Sequence, residues 1–466
     1  LLYSCASYHT RIQQFHAYMD QGDYESAIKS LDKNRFMKKP RNEFLYLAEK
    51  GRAAHLAGMY EESNRLLNEA DQIAEDPYKS IGEKLKGTVL NPMKQTYTGE
   101  PFERFMLHYY KALNYFYLGN IEEAVVEARR ITLATYDQQD ITKDKDNRYS
   151  KDAFSHILQG LIYEKSGDIN NAFIAYRNAA ETYLNAPGKK WYGVPIPEQL
   201  QMDLLRTAGM LGFTNELQHF ERLFNASYEP PAYAQNGGEL ILFVETGRAP
   251  VKEEESLGFA LVKGEGGAFF FTDPSGNYHI PFNASQYGNS GSIGDLRTFR
   301  IALPYYRTVS GPGLPGTILV NGSQVQLELV ENLNEIALKT MQERRLKDIT
   351  NALTRLAVKK LAEAGARGAT KAIVKNNSKE EDEEKKEKKA ENAADAAGLI
   401  LQAFSLATER ADTRNWQSLP AYIYYTRIPL NAGENIIEIK PSHGYGTSQV
   451  IKVHSNGNMI FRNIVF

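Results

Sequence analysis

The 466-residue chain contains a single cysteine, Cys5. One thiol excludes an internal disulfide framework and any multi-thiolate metal site. A charge bias is also missing. The formal net charge is −2 and the pI about 6.6, which leaves no electrostatic ground for nucleic acid as a partner. Mean hydropathy is −0.48, and no internal run approaches the roughly 18 consecutive apolar residues of a spanning helix. Catalytic signatures are equally scarce. The 9 histidines are scattered, with no HExxH, and His108 and His156 read as packed residues of aromatic helices. "GPGLPG" (311–316) has the glycines of a phosphate loop, but prolines interrupt it and a strand follows where a helix start is needed. "SAIK" (Ser26 to Lys29) matches Ser-x-x-Lys without its partner motifs and reads as a solvated helix face. Glu253 and Glu254 read as a hydrophilic loop. No metal, cofactor or catalytic residue is expected.

What the chain does have begins at its first residues. In "LLYSCAS" the stretch Leu2-Tyr3-Ser4-Cys5 reads as the tail of a secretory signal and resembles a lipobox, with Cys5 as the lipid-attachment residue. The polar "ASYHTRIQQ" that follows reads as a tether. From residue 10 to 225 the pattern is paired amphipathic helices with short polar turns. One phrase recurs: "GDYESAI" at Gly22, "GMYEESN" at Gly58, "GNIEEAV" at Gly119 and "GDINNAF" at Gly167. Seven residues before the last three stand Gly51, Ala112 and Gly160, small enough to let two helices approach. "LLRTAGMLGFTNELQHF", around Gly212, reads as a fifth, worn unit. Tetratricopeptide repeats use this arrangement.

Beyond the linker "NASYEPPAYAQNGG" the period changes to short β-rich runs punctuated by Gly, Pro and Asn. "DPSGN", "VNGSQ" and "SNGN" read as hairpin turns. A helical stretch interrupts these runs, with Leu346, Ile349, Leu353 and Leu356 on one expected face. A mixed-charge segment and an Ala-rich second helix follow. The expected fold is therefore α+β and multidomain. Residues 1–9 form a signal-peptide remnant, lipobox and tether; 10–225 form degenerate tetratricopeptide-like repeats; 226–237 form a linker. Residues 238–330 and 415–466 together form a mainly antiparallel β domain, and 331–414 an inserted helical hairpin with a charged loop at 379–390.

The order of these parts resembles a family of uncharacterised bacterial lipoproteins with tetratricopeptide-like repeats. The most specific matches are "VETGRAPVKEE" (Val244 to Glu254) and "ADTRNWQSLP" (Ala411 to Pro420). In these, Glu245 and Arg248 read as a local pair. Asp412 and Arg414 read as a charged hydrogen bond at a corner, and Trp416 as an anchor joining the helical hairpin to the returning strands. All five are candidate partner-binding or junction residues. The resemblance implies an outer-membrane, periplasm-facing lipoprotein acting in envelope assembly, and it brings no catalytic residues. The expected activity is that of an adaptor whose Tyr- and Phe-lined helical groove holds a protein or peptide partner. The alternatives are a structural subunit of an outer-membrane complex, or a peptidoglycan-related envelope enzyme or regulatory subunit with a site in the β domain.

Overall fold

Glycine punctuates the helical half. Gly22, Gly58, Gly119, Gly167 and Gly212 all lie at positive φ, between 69° and 84°, in turns of two or three residues. An L side chain resists that conformation, so the recurring Gly breaks each first helix and sends the chain back as the second. In the computed structural model, which describes residues 7–75, 92–141, 151–228, 237–264, 268–283, 298–309, 316–377, 387–388, 392, 410–440 and 448–466, the pairs are as follows. α1 (Tyr8–Arg11) precedes α2 (Gln13–Asp20) with α3 (Tyr24–Lys33). Next come α4 (Glu43–Leu56) with α5 (Tyr60–Glu75), and α6 (Pro101–Leu118) with α7 (Ile121–Ile141). The last pairs are α8 (Ala153–Lys165) with α9 (Ile169–Leu184), and α10 (Glu198–Met210) with α11 (Thr214–Phe224). Asp23 and Asp168, each after its turn Gly, cap α3 and α9 by accepting the N–H of Ser26 and Asn171 at 3.1 Å.

Small residues set the spacing within pairs. A Cβ on Gly51 would lie 2.6 Å from Leu67, and one on Gly160 would run into the ring of Tyr176. The N-terminal tether is corrected here. Tyr8 and His9 belong to α1, and Tyr8, Ile12 and Phe15 are buried in the array's core. Cys5, the segment 229–236 of the linker, the charged loop apart from residues 387–388, and residues 393–409 of the Ala-rich helix lie outside the described residues.

A short ribbon of β1 (Lys190–Trp191) and β2 (Val194–Pro195) precedes α10, and three four-stranded sheets follow the array. The first has the order β10 (Glu328–Asn332), β11 (Tyr422–Pro429), β3 (Glu239–Thr246), β14 (Met459–Val465). The second is β13 (Gln449–Ser455), β12 (Gly433–Lys440), β8 (Thr317–Val320), β9 (Ser323–Val325). The third is β6 (His279–Phe282), β5 (Phe269–Thr272), β4 (Val251–Lys263), β7 (Thr298–Arg307). The first two sheets each mix strands from before and after the long helix α12 (Leu333–Asn377), whereas the third lies wholly before it. β3 runs antiparallel to β11 and parallel to β14.

β3 explains its own sequence. Leu240, Leu242 and Val244 pack toward the second sheet, while Ile241 and Phe243 join the core of the helical array. Burial on both faces requires the unbroken apolar run that the strand shows. "SNGN" does turn the chain, with Gly457 at φ 92°. It does not make a hairpin: β13 pairs with β12 and β14 with β3, so the turn carries the chain between the two layers of a sandwich. The seat beside doubly buried β3 outweighs local pairing. α12 buries Ile349, Ala352, Leu353, Leu356 and Ala357 against Phe259, Phe271, Phe299 and Ile301 of the third sheet. Leu346 departs from the expected stripe and is 58% exposed. At that level the contact is polar instead, since Arg345 binds Glu255 at 2.6 Å.

Candidate functional site

The first helices of the pairs share one face, and the first sheet covers it. The expected groove for a partner is therefore occupied by the chain's own β domain. A continuous core runs from Phe44, Tyr109, Tyr110, Phe154 and Leu204 on the helices to Ile241, Phe243, Ile423, Tyr425 and Phe461 on the strands. Buried charge crosses this seam in three places.

The first place is Glu245, fully buried on the helix-facing side of β3. Its carboxylate accepts from Arg52 at 3.0 Å, Tyr109 at 3.1 Å, Tyr110 at 2.9 Å and Asn463 at 3.1 Å. Burial works against the charge of Arg52, but Tyr110 and Glu245 hold its pKa above the ordinary value. Asn463 of β14 continues the network to His55 and Tyr117, and Asn114 on α6 accepts from His55 Nδ1 through its Oδ1 and donates through Nδ2 to Ser63 and Asn64. Glu245 and Arg248 do not pair. Arg248 turns the other way and lies 3.6 Å from Asp20.

The second place is the strap 411–421. Arg414 is almost fully buried, and its guanidinium bonds Asp412 at 2.7 and 2.8 Å. It also donates to the carbonyls of Arg41 and Gln95 and to Asn42 Oδ1. Its anchorage is thus the helical array. Trp416 is fully buried as well: its ring lies near Tyr110, in a core that the array shares with the first sheet and with Leu333, Ile336, Ala337 and Met341 of α12. Two buried glutamates grip the backbone beside it. Glu103 accepts the N–H of Trp416 at 2.8 Å, and Glu49 accepts those of Gln417 and Ser418 at 2.9 and 3.2 Å. Burial raises both pKa values to about 7, against the lowering effect of those amide bonds.

The third place centres on Arg427 of β11, which binds Glu164 at 2.8 Å, Asp203 at 2.9 Å and Glu239 at 2.5 Å. Arg206 approaches Glu164 at 2.7 Å, and Tyr425 donates to Asp203. Burial opposes the charge of Glu164, but Arg427 and Arg206 hold its pKa at about 2.

One cluster has the ligand types of a metal site. Asp71, His108 and Glu127 are buried with ligand atoms within 4.8 Å of one another. The ammonium of Lys111 already sits among them, 2.6 Å from Asp71 and 2.8 Å from Glu127, and Arg130 lies 3.1 Å from Asp71. The positive charge that these carboxylates need comes from side chains. Sequence reading missed most of this seam. The signal was a charged residue inside an otherwise small and apolar helix ("EKGRAAHLAG", with Glu49 and Arg52) or inside a doubly buried strand (Glu245).

No family model matches the chain, and no curated protein does. Among solved structures it is similar to MamA, residue 41 to the end, from Desulfovibrio magneticus RS-1. The identity is 13% and the TM-score 0.28, over 46% of this chain and 94% of that one. It is also similar to a MamA RS-1 ArsTM double mutant, with 13% identity and a TM-score of 0.27, over 47% of this chain and 98% of the other. These scores are too low for a shared fold to follow.

Proposed function

We propose that the chain is a non-catalytic protein-interaction scaffold of the cell envelope, held by acylated Cys5 at the outer membrane and facing the periplasm. The observation that carries this reading is the seam. Its converging charged groups are bound to one another and, apart from partly exposed Glu239 and Asp412, largely buried, so they hold two parts of one chain together. An array whose inner face is closed in cis meets partners with its outward surfaces. These are the second helices, where Val126 and Leu133 are exposed, and α12 near Leu346. The anchoring rests on the spacing of "LLYSC". Photo-crosslinkers placed at Leu133 and Leu346 in the native host should give discrete, competable adducts, and one at buried Tyr109 should give none. Fractionation of Cys5→Ala should show loss from the membrane fraction. Adducts at neither outward position would overturn the scaffold. An unmodified Cys5 in intact-mass analysis would overturn the anchor.

A further inference from the structure

Four basic side chains stand together near the chain's N-terminal helix. Lys33 ends α3, and Arg35, Lys38 and Lys39 follow in the loop that leads to the turn Pro40–Asn42. All four are exposed, and among the described residues none of their side chains forms an ion pair. The acid of the stretch, Asp32, is engaged by Lys50 at 2.9 Å and by the hydroxyl of Tyr46 at 2.5 Å. The loop is held in shape. Asn34 Oδ1 accepts the N–H groups of Phe36 and Met37, and both of those side chains are buried. Asn34 Nδ2 donates to the carbonyl of Arg11 at 2.8 Å, and the Arg11 guanidinium lies over the ring of Phe36 at 4.6 Å. The basic loop and α1 therefore form one surface. A chain with a net charge of −2 has no general excess of cations to account for it.

The position of this surface is telling. Tyr8 packs beside Phe36, with ring centroids 6.3 Å apart. Two residues, Ala6 and Ser7, separate Tyr8 from Cys5, and the three steps between them span at most about 11 Å. That is close to one Debye length at physiological salt, roughly 8 Å. An acyl chain on Cys5 would hold these cations within electrostatic reach of lipid headgroups. We propose that Lys33, Arg35, Lys38 and Lys39, with Arg11, form a membrane-contact face that binds anionic phospholipid headgroups. The orientation at the bilayer rests on the acylation of Cys5 proposed above; the lipid affinity does not. One acyl chain anchors only marginally, and a basic patch is an established second signal. Each Lys or Arg near an anionic surface strengthens binding by about fivefold.

The test uses the full chain without its lipid, as Cys5→Ser, and vesicles of phosphatidylcholine with or without phosphatidylglycerol. Binding should require phosphatidylglycerol and weaken with salt. Changing Lys33, Arg35, Lys38 and Lys39 together to Glu should weaken it by at least about 600-fold if the four contributions add. The same charge change at exposed Lys151, Lys189, Lys190 and Lys263 should weaken it no more than about fivefold. Thermal melts should show both quadruple variants folded. Equal loss in the two variants, equal binding to neutral vesicles, or no binding to phosphatidylglycerol would each overturn the face. An acylated Cys5 in intact-mass analysis alongside failed vesicle binding removes this face and leaves the anchor. An unmodified Cys5 with intact vesicle binding does the reverse.

Discussion

Against the helical array, the first sheet presents Glu245, Tyr425, Arg427 and Asn463 among its apolar residues. Against α12, the third sheet presents Phe259, Phe271, Phe299 and Ile301. Both contacts cover one face of a sheet with helix, yet they differ in what they specify. An apolar contact is satisfied by any fit of about the right volume. A buried ion pair is satisfied in one register only, because a slip of one residue along β3 would send Glu245 to the other face and strand Arg52. The array seam is thus a selective joint, and the α12 seam is a packed one.

The comparison breaks most sharply at Glu245. Glu245→Ala should cost about 3–5 kcal/mol by leaving the Arg52 guanidinium buried and unpaired. Glu253→Ala, on the third sheet and facing half-exposed Arg307, should cost below about 1 kcal/mol. Urea denaturation of the two variants decides it: equal midpoints would mean that Glu245 does not fasten the joint. On the packed side, Leu353→Ala should cost about 2–5 kcal/mol, whereas Leu346→Ala should stay within about 0.5 kcal/mol. A large loss at Leu346 would place that residue in an interface.

The selective joint should also be sensitive to pH. Glu49 and Glu103 have folded-state pKa values raised to about 7. Between about pH 4.5 and 7 the folded chain keeps protons that the unfolded chain has released. Their contribution is therefore full below pH 4.5 and is lost as pH rises through 7, by on the order of 3 kcal/mol for each group. Buried His16, at about 3, and His156, at about 4, act in the opposite sense, since neutral burial costs stability as pH falls below about 6.5. The measurement must therefore be a difference. The stability of the parent minus that of Glu49→Gln/Glu103→Gln should shrink between pH 5 and 8, and a constant difference would show that these carboxyls do not titrate there. Within the array, Gly160→Ala should cost about 1–3 kcal/mol by driving a methyl group into Tyr176. A melting temperature unchanged by this substitution would show that the helix contact can open to make room.

The turn glycines and the small residues at 51, 112 and 160 were legible because each acts within one helix pair, over a few residues of chain. "VNGSQ" was legible for the same reason: Asn321 and Gly322, at φ 49° and 85°, join β8 to β9 directly. "SNGN" carried an equally strong local signal, but the pairing of β14 was decided by β3, more than two hundred residues earlier. The closure of the array's inner face was invisible for that reason too. Tyr and Phe on the first helices look the same whether they await a peptide or cover the chain's own sheet. Only unexpected charge in apolar company, at Glu49, Arg52 and Glu245, hinted that something specific would dock there.

The seat of β14 beside β3 sets a timetable for synthesis. Tyr117 and its partner Asn463 are 346 residues apart in the chain. At the ribosome's pace of about 5–20 residues per second, the helices wait roughly 17–70 s between the appearance of one partner and the other. Until β3 has been made their aromatic inner face has no cover, and from then on the edge of β3 stays open until β14 follows. The nascent chain therefore carries uncovered apolar surface until its last strand is made, and an interrupted translation would release a helical fragment whose inner face is still open.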